Sequence, residues 1–507
     1  MALLSLYSST SELLTIAPLG FVIWYLAYAV YSWYRLRHIP GPFYAAFSDF
    51  WLVRMALSNK QLDMNWDLEE KYGSLVRIGP NFLHTSDPDL IRRMSSSKNN
   101  YWKSDWYQGN RFNPYKSIMF VEPNPRIHDQ LKAKLTPGYN GKDIEGVESD
   151  VDIQVMNMVQ LIKSKYLALP GENSARFMDL GRVVSYFTFD VISRLALGKE
   201  AGCLENESDT SGFIDGIEEF LPTLSKITNI WICRKMMLSK LGLTLLGPKE
   251  TDTKGMGKLM RRTNAGVRKA YSPEGANKKN MLGSFARHGL SQSECESEAL
   301  FMFIAGSDTT AAAIRNTLMH IITTPLVYQR LKEEIAAAIR DGKVSRPITL
   351  AQARSLPYLK AVIFEGLRTR PVTTSILAKD VPPGGDTFKG QFLPEGTSIG
   401  MNIPSILRSK AIFGEDAHMF RPERFLEVDE ETQAELQRNV EFVFGNGRWM
   451  CSGRPIAFME LHKVYFELLR EFDFQIVNPR NPMKTDNWTQ FVDKQFFVRV
   501  TKSTIAS

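Results

Sequence analysis

Hydrophobic and polar positions divide this chain into an apolar N-terminal run, a long helical middle and an extended C-terminal end. From Ile16 to Tyr34 nearly every side chain is apolar or aromatic. At roughly 1.5 Å per helical residue, about 19 such residues just span a hydrocarbon core of about 30 Å. The run therefore predicts a transmembrane helix; the alternative, a cleaved signal peptide, lacks a basic N-terminal region and a small-residue cleavage site. Arg35, Arg37 and His38 follow the run, which places the rest of the chain on the cytosolic side. Pro40-Gly41-Pro42 then ends the helix. Leu75 to His84 reads as two strands with a turn at Gly79-Pro80. Helical spacing dominates from Asp87 to about residue 370, with helices predicted from about Ser293 to Thr323 and from Pro357 to Arg370. At the end, Phe472–Val477 and Gln490–Val500 read as extended, the second alternating Phe496, Val498 and Val500 against Phe497 and Arg499.

Three stretches depart from a plain core pattern. Ala305-Gly306-Ser307-Asp308-Thr309-Thr310 sets a glycine and four polar side chains in the middle of an apolar helix. Glycine there costs about 1 kcal/mol against alanine, and a buried carboxylate costs more. A satisfied kink in a core helix is one reading. A ligand groove explains the residues better, because hydroxyls that compete for local carbonyls open a helix beside a bound group. Phe220 to Gly247 is apolar between charged flanks, as ordinary core or as a second surface that touches a bilayer and admits lipid-soluble ligands. Glu365 and Arg368 are three apart among Ala361, Val362, Ile363, Phe364 and Leu367. That spacing predicts a buried ion pair, which Arg424 in Phe420–Phe425 would extend into a network.

Composition narrows the classes. The 507 residues are 44% hydrophobic with 30 Phe and show no low-complexity linker, so one large domain behind an N-terminal appendage is expected. Cys203, Cys233, Cys295 and Cys451 are far apart with no CxxC pair, which argues against a disulfide scaffold or a zinc site and suits a reducing compartment. The net charge of +7 comes from dispersed basic residues without a nucleic-acid motif, so an anionic membrane or an acidic protein partner is expected and nucleic acid is not. Between Pro125 and Pro137, His128 and Lys132 share a helix face. The densest chemistry is Phe444-Gly445-Asn446-Gly447-Arg448-Trp449-Met450-Cys451-Ser452-Gly453, followed by a helical pattern from Ile456 to Arg470. Cys451 then sits near a helix N-terminus, which favours a thiolate, hence a nucleophile or a metal ligand.

Taken together, these residues resemble a cytochrome P-450, a haem-thiolate monooxygenase, from Pro40 to the C-terminus. Phe444, Gly447, Cys451 and Gly453 match the pattern at the cysteine; Glu365 with Arg368, Pro422–Phe425 and Ala305–Thr310 supply the other three motifs in order. The Gly-Arg-Trp variant, Tyr72-Gly73 leading to Arg77–Pro80, and Phe413–Ala417 are similar to the membrane-bound enzymes of fungal secondary metabolism. One departure is that Trp449, two residues before the cysteine, stands where the family has arginine, and Arg448 lies three before.

The resemblance implies a mainly α fold with small β-sheets (α+β), divided into a membrane anchor at 1–35 and a catalytic domain at 36–507. It implies haem b with Cys451 as the axial iron ligand. Phe444, Gly447, Arg448, His128, Lys132 and Ala305 would contact that cofactor, with His128 and Lys132 as donors to its carboxylates. Asp308 and Thr309 become the catalytic pair that moves protons during oxygen activation, and Glu365, Arg368 and Arg424 become structural. The expected activity is insertion of one oxygen atom into a lipophilic small molecule of secondary metabolism. No Gly-x-Gly-x-x-Gly fingerprint opens a helix, so electrons would come from NADPH through a separate cytochrome P-450 reductase, docking on Lys132, Lys134, Arg454 and Lys463. Localisation follows as the endoplasmic reticulum membrane, single-pass and cytosol-facing. The alternatives are a haem-thiolate isomerase or dehydratase working without dioxygen, and a haem-based sensor.

Overall fold

A computed structural model describes residues 19–20, 22–168 and 176–505; residues 16–18 and Phe21 of the expected membrane helix lie outside them. The principal helices are α1 (Pro125–Tyr139), α2 (Val147–Leu161), α3 (Leu180–Leu197), α4 (Phe213–Asn229), α5 (Gln292–Thr323), α6 (Pro357–Thr369) and α7 (Arg454–Glu471). Helix α5 starts at a capping box of Ser291 and Glu294 and stops before Pro325, as its caps dictate. It packs most extensively on α3 and also meets α6 and α7.

The polar break in α5 does not open the helix. Thr309 Oγ1 donates to Ala305 O at 2.8 Å and Ser307 Oγ to Phe303 O at 3.0 Å, each bonding back one turn while the helix continues. Gly306 serves close packing: a Cβ there would stand 3.1 Å from Ile192 Cγ1 of α3. A helix that must be both tightly packed and polar at one point therefore uses glycine for the first need and back-bonded hydroxyls for the second.

The paired strands near residue 80 are Leu75–Gly79 and Phe82–Thr85. They join Ser398–Met401, Lys379–Asp380 and Trp102–Lys103 in a five-stranded sheet. At the C-terminus the expected second extended segment divides. Phe491–Lys494 forms a hairpin with Lys484–Asn487, and Phe497–Lys502 pairs with both Phe472–Ile476 and Phe177–Asp179. Gln495, with φ +62°, makes the break. Beyond it the alternation is kept, with Phe496, Val498 and Val500 buried and Phe497 and Arg499 exposed.

A large core surrounds α3, α5, α6 and α7, and a smaller one with Trp51, Val76, Ile78, Trp106 and Ile376 lies beside the sheet; Phe301 and Leu377 touch both. Among the described residues no helix is long and apolar enough to cross a membrane. Residues 22–36 are helical, and the end of that helix docks on the sheet. Ser32 Oγ donates to Pro80 O at 2.6 Å, and Arg77 Nη2 donates to Ser32 O at 2.9 Å. Its face with Ile23, Trp24, Val30 and Tyr31 stays exposed. The apolar stretch from Phe220 also divides. Leu221 and Leu224 are buried in α4, while Trp231, Ile232, Met236, Leu241 and Leu245 are exposed on two short helices, Trp231–Met237 and Lys240–Leu246.

Glu365, Arg368 and Arg424 meet at the centre of the fold, all three buried. Arg368 holds both Glu365 oxygens at 2.7 Å, and Arg424 Nε adds bonds at 3.0 and 3.1 Å. Their other N–H groups donate to the carbonyls of Leu407, Ala417, Met419 and Phe413, so the network is almost fully satisfied. Lys463 corrects an expectation: it is fully buried, bonded to Glu148 at 2.8 Å and Asp152 at 2.7 Å, and cannot belong to a docking surface. Its position on α7 points inward to α2, which a count of basic residues along the sequence does not reveal. Because taking one partner from a buried ion network leaves the other charge uncompensated, Arg424→Met should destabilise the fold by about 3–5 kcal/mol in urea unfolding. A loss under about 1 kcal/mol, the size expected of an exposed pair, would contradict this account.

Candidate active site

The thiol loop takes its shape from two left-handed glycines. Gly445 (φ +76°) and Gly447 (φ +55°) adopt backbone that other residues avoid. A Cβ on Gly445 would stand 2.9 Å from Trp449 O, and one on Gly447 would stand 2.4 Å from Ser95 O. With the chain folded that tightly, Cys451 N donates to Phe444 O at 2.7 Å, and the Phe444 ring lies 5.2 Å from Phe458 of α7. Cys451 stays accessible to solvent. Protein crowded around it raises its thiol above the ordinary value, opposed by the N–H groups of Gly453 and Arg454 and by the cations Lys132 and Arg454. A helix N-terminus alone therefore does not make this thiol a thiolate; a bound metal cation would.

Helix α1 is drawn onto the loop. Lys132 Nζ donates to Arg448 O at 2.7 Å and Met450 O at 3.1 Å, so it holds the loop's backbone. The His128 ring lies 4.4 Å from the Trp449 ring and 3.0 Å from Asp129 Oδ1; burial and Lys103 lower it to about 4, leaving it neutral at pH 7. Arg448 pairs with Asp129 at 3.2 Å in a surface groove shared with Arg92 and Asn446. Its guanidinium is thus committed on the outer side of the loop.

Two side chains that sequence reasoning missed converge on Trp449. Lys103 Nζ lies 4.4 Å and Lys379 Nζ 5.6 Å from its ring, and both lysines are buried. Lys103 donates to Met119 O at 3.0 Å, and Lys379 to Ser95 Oγ at 2.8 Å. Among the described residues neither pairs with a carboxylate. Burial pushes Lys103 down to about 7 and Lys379 well below the usual lysine value. Glu298 acts on Lys103 only through space, and buried cations without a contacting anion are costly, so the pair is suited to an anionic ligand. Their only signal in the sequence is a lysine in each of two two-residue strands, Trp102–Lys103 and Lys379–Asp380.

On α5, Phe301, Ala305 and Thr309 recur every four residues and are only half-buried within a buried helix, which marks the face that borders an open space. Asp308 points elsewhere: it accepts from the Gln490 side chain and lies 3.8 Å from Arg315 Nη2. Burial raises it to about 6 against the pull of Arg315. The structure thus joins Cys451, Phe444, Gly447, His128, Lys132 and Arg448 in one cluster, with Asp308, Thr309 and Ala305 together on α5. Glu365, Arg368 and Arg424 stand apart as a closed ion network.

The residues present fit haem b. An accessible thiol lies on a loop kept slim by glycine, aromatic rings flank it, and two buried lysines have no carboxylate in contact among the described residues, for which the two carboxylates of that group are a match. Comparison with known proteins agrees. The family model described as Cytochrome P450 matches residues 40–498. The chain is 45% identical to cytochrome P450 monooxygenase aba1 of Botryotinia fuckeliana, over 92% of each chain. It is 41% identical to cytochrome P450 monooxygenase abl1 of Leptosphaeria maculans, over 96% of this chain and 86% of that one, and 30% identical to pisatin demethylase of Fusarium vanettenii, over 94% and 91%. With that breadth of match added to the thiol loop, its cation pair and the polar turn of α5, the chain belongs to the cytochrome P450 family of haem-dependent monooxygenases.

Proposed function

We propose that this enzyme inserts one oxygen atom of dioxygen into a lipophilic small molecule of secondary metabolism, drawing electrons from NADPH through a separate reductase. The balance is substrate C–H, O2, NADPH and a proton giving substrate C–OH, water and NADP+. The observation that carries the reading is the accessible Cys451 thiol on its glycine-shaped loop, in a chain of this family. Haem b bound there supplies dioxygen activation, with a thiolate donating electron density to iron.

The chain's own residues bind, orient and move protons. Cys451 holds the metal, and Phe444 shields the sulfur side. Lys379 and Lys103 would receive the cofactor carboxylates, while Lys132 and His128 fix the loop that carries the thiol. Thr309, on the half-open face of α5, and Asp308 beside it pass protons to the reacting oxygen. Phe112, Phe120 and Phe301 cluster with ring centroids 6.1 Å (Phe112–Phe301) and 4.8 Å (Phe120–Phe301) apart. That aromatic wall suits an apolar, ring-bearing substrate.

Membrane association at the endoplasmic reticulum, with the catalytic domain facing the cytosol, belongs to the same proposal. It is supported by the apolar run Ile16–Tyr34 and by exposed Trp231, Ile232, Leu241 and Leu245, a surface that a bilayer would cover. For the reductase, the exposed side of α1 with Arg126 and half-buried Lys134 offers the cationic face, in place of Lys463.

Incubation with NADPH, a cytochrome P450 reductase and a panel of lipophilic ring compounds under 18O-labelled dioxygen should place one labelled atom in each product. Turnover that persists without dioxygen would instead favour an isomerase or dehydratase. Lys379→Met should speed haem transfer to apomyoglobin about tenfold or more, since a charge-assisted hydrogen bond is worth about 1.5–3 kcal/mol; an unchanged transfer rate would remove Lys379 from the cofactor site. Lys134→Glu should slow haem reduction at low ionic strength, the difference fading with added salt. Equal rates at low salt would place the docking face elsewhere.

A further inference from the structure

Ser307 and Asp308 of α5 face away from Phe301, Ala305 and Thr309, toward α3 and α4. There Ser307 and Asp308 of α5, Ser185 and Thr188 of α3, and Phe213, Ile214 and Ile217 of α4 enclose a void of about 10 Å3, the room one water needs. Thr188 Oγ1 donates to Val184 O and Ser185 O, both at 3.2 Å, and Ser307 Oγ to Phe303 O at 3.0 Å. Ser185 Oγ donates to Gly181 O at 3.2 Å and accepts from Arg315 Nη1 at 2.8 Å. Each hydroxyl has thus given its proton to a helix carbonyl and offers oxygen lone pairs to the void. Asp308 adds a carboxylate, so a water there has ample acceptors. The 3.8 Å gap between Asp308 and Arg315 Nη2 is too long for a hydrogen bond and fits a bridging water. Arg315 Nε, buried with no acceptor of its own, belongs to the same unsatisfied network.

On the other side of the void α4 carries Glu218, which follows Ile217 in sequence. Glu218 is flanked by Arg182 at 3.5 Å and Lys494 at 3.1 Å, whose side chains are 35% and 51% exposed, so this side leads to solvent. From the C-terminal end comes the tip of the hairpin formed by Lys484–Asn487 and Phe491–Lys494. Gln490, at that tip, donates its amide N–H to Asp308 Oδ2. The neighbouring Thr489 O accepts from Thr373 Oγ1 at 3.1 Å, Thr374 N at 3.0 Å and Ser375 Oγ at 3.1 Å. The tip is therefore bolted to the run Val372–Leu377, whose Leu377 meets both cores as Phe301 of the aromatic wall does, which makes this run a wall of the substrate chamber in the oxygenase reading.

We propose that Gln490 is a positioning residue for proton delivery: its amide holds Asp308 against a one-water cavity between α5, α3 and α4, and so ties the enzyme's proton supply to the wall of its substrate chamber. A proton from solvent reaches the Asp308 carboxylate through the cavity water, which takes up one proton as it passes another on, so the water is left neutral; Glu218, held by Arg182 and Lys494, marks the solvent side of α4. Asp308 releases its proton toward the crevice side of α5, where Thr309 lies, and returns to the carboxylate that Gln490 holds. The groups facing Asp308 are Arg315 on its own helix, Glu218 on α4, and Gln490 and Asp493 on the hairpin; Arg370 neutralises Asp493 at 2.8 Å. Among these, Gln490 is a neutral donor at hydrogen-bond distance and the one contact that reaches Asp308 from the chamber wall.

The inference rests on the oxygenase reading, and its test separates the two. Infrared difference titration of the haem-loaded full chain follows the protonated-carboxyl C=O band of Asp308, assigned by its loss in Asp308→Asn. The amide stabilises the ionised form, so Gln490→Leu should raise the midpoint by about one pH unit. Gln490→Glu, which sets a second carboxyl against Asp308, should raise it further. In parallel, hydrogen peroxide released by the same preparation with NADPH and a reductase, in the absence of substrate, should change its pH profile by the same shift. A midpoint unmoved in both variants, with the haem absorption spectrum intact, overturns the proposal. If Gln490→Leu fails to retain haem, Gln490→Glu decides it. A wild-type chain without any haem spectrum would instead overturn the oxygenase reading itself.

Discussion

Charge taken out of water must find an opposite charge or a full set of hydrogen bonds, and this constraint organises the protein. It is met in opposite ways at two places. Around Glu365 the chain supplies its own answer, with two arginines, their carbonyl acceptors and no room for solvent. That network joins α6 to the segment Phe413–Phe425 and lies beside the helix that follows the thiol loop. Around Trp449 the chain leaves the matter open. Lys103 and Lys379 are buried against the Trp449 ring, bonded to the carbonyls of Met119 and Met94 and the Ser95 hydroxyl, and burial lowers both. An interior that buries two lysines with no carboxylate in ion-pair contact among the described residues, Glu298 acting on Lys103 only from a distance, is shaped for a ligand that brings carboxylates.

Helix α5 obeys the same rule in a third way. Its hydroxyls are satisfied by its own backbone, so the helix stays whole where it turns polar, and Asp308 is held by Gln490 of the C-terminal hairpin, with Arg315 of α5 itself 3.8 Å away. Because the hairpin is strapped to the run Val372–Leu377 and α3 and α4 border the void beside Asp308, the acid lies between the bundle and that run. Its raised value, about 6, suits a group that must gain and lose a proton near neutral pH. The thiol loop needs the complementary device, backbone freedom: at Gly447 even a methyl group would collide with Ser95 O.

Much of this could be read from the sequence because periodicity and local motifs encode it. The bounds of α5 and α6, the strand pair near residue 80, the ion network and the loop at Cys451 all depend on residues close together in the chain or on strong patterns. What escaped depends on long-range placement. Lys463 lies on the helix after the thiol loop, and its helical phase turns it inward to Glu148 and Asp152. Lys103 and Lys379 become a pair only because strands 276 positions apart in sequence are hydrogen-bonded neighbours. Gln490 looked like the start of a strand; a hairpin turn instead delivers its side chain to Asp308, 182 residues away. The helix was expected to open at Ser307–Thr310, and it does not, because back-bonding to the preceding turn costs less than breaking the ladder. The face of helix 22–36 that stays exposed remains consistent with an apolar partner of the chain's N-terminal end.

The central claim is that Cys451 is the residue through which this fold holds haem iron. It is tested most directly by the absorption spectrum of the reduced, carbon monoxide-bound full chain. The account predicts a strongly red-shifted main band, the mark of a thiolate opposite carbon monoxide, and its loss in Cys451→Ala while the glycine-shaped loop and the cations at Lys103 and Lys379 remain. A red-shifted band that survives in Cys451→Ala, or a wild-type chain that binds haem without ever showing it, would contradict the account.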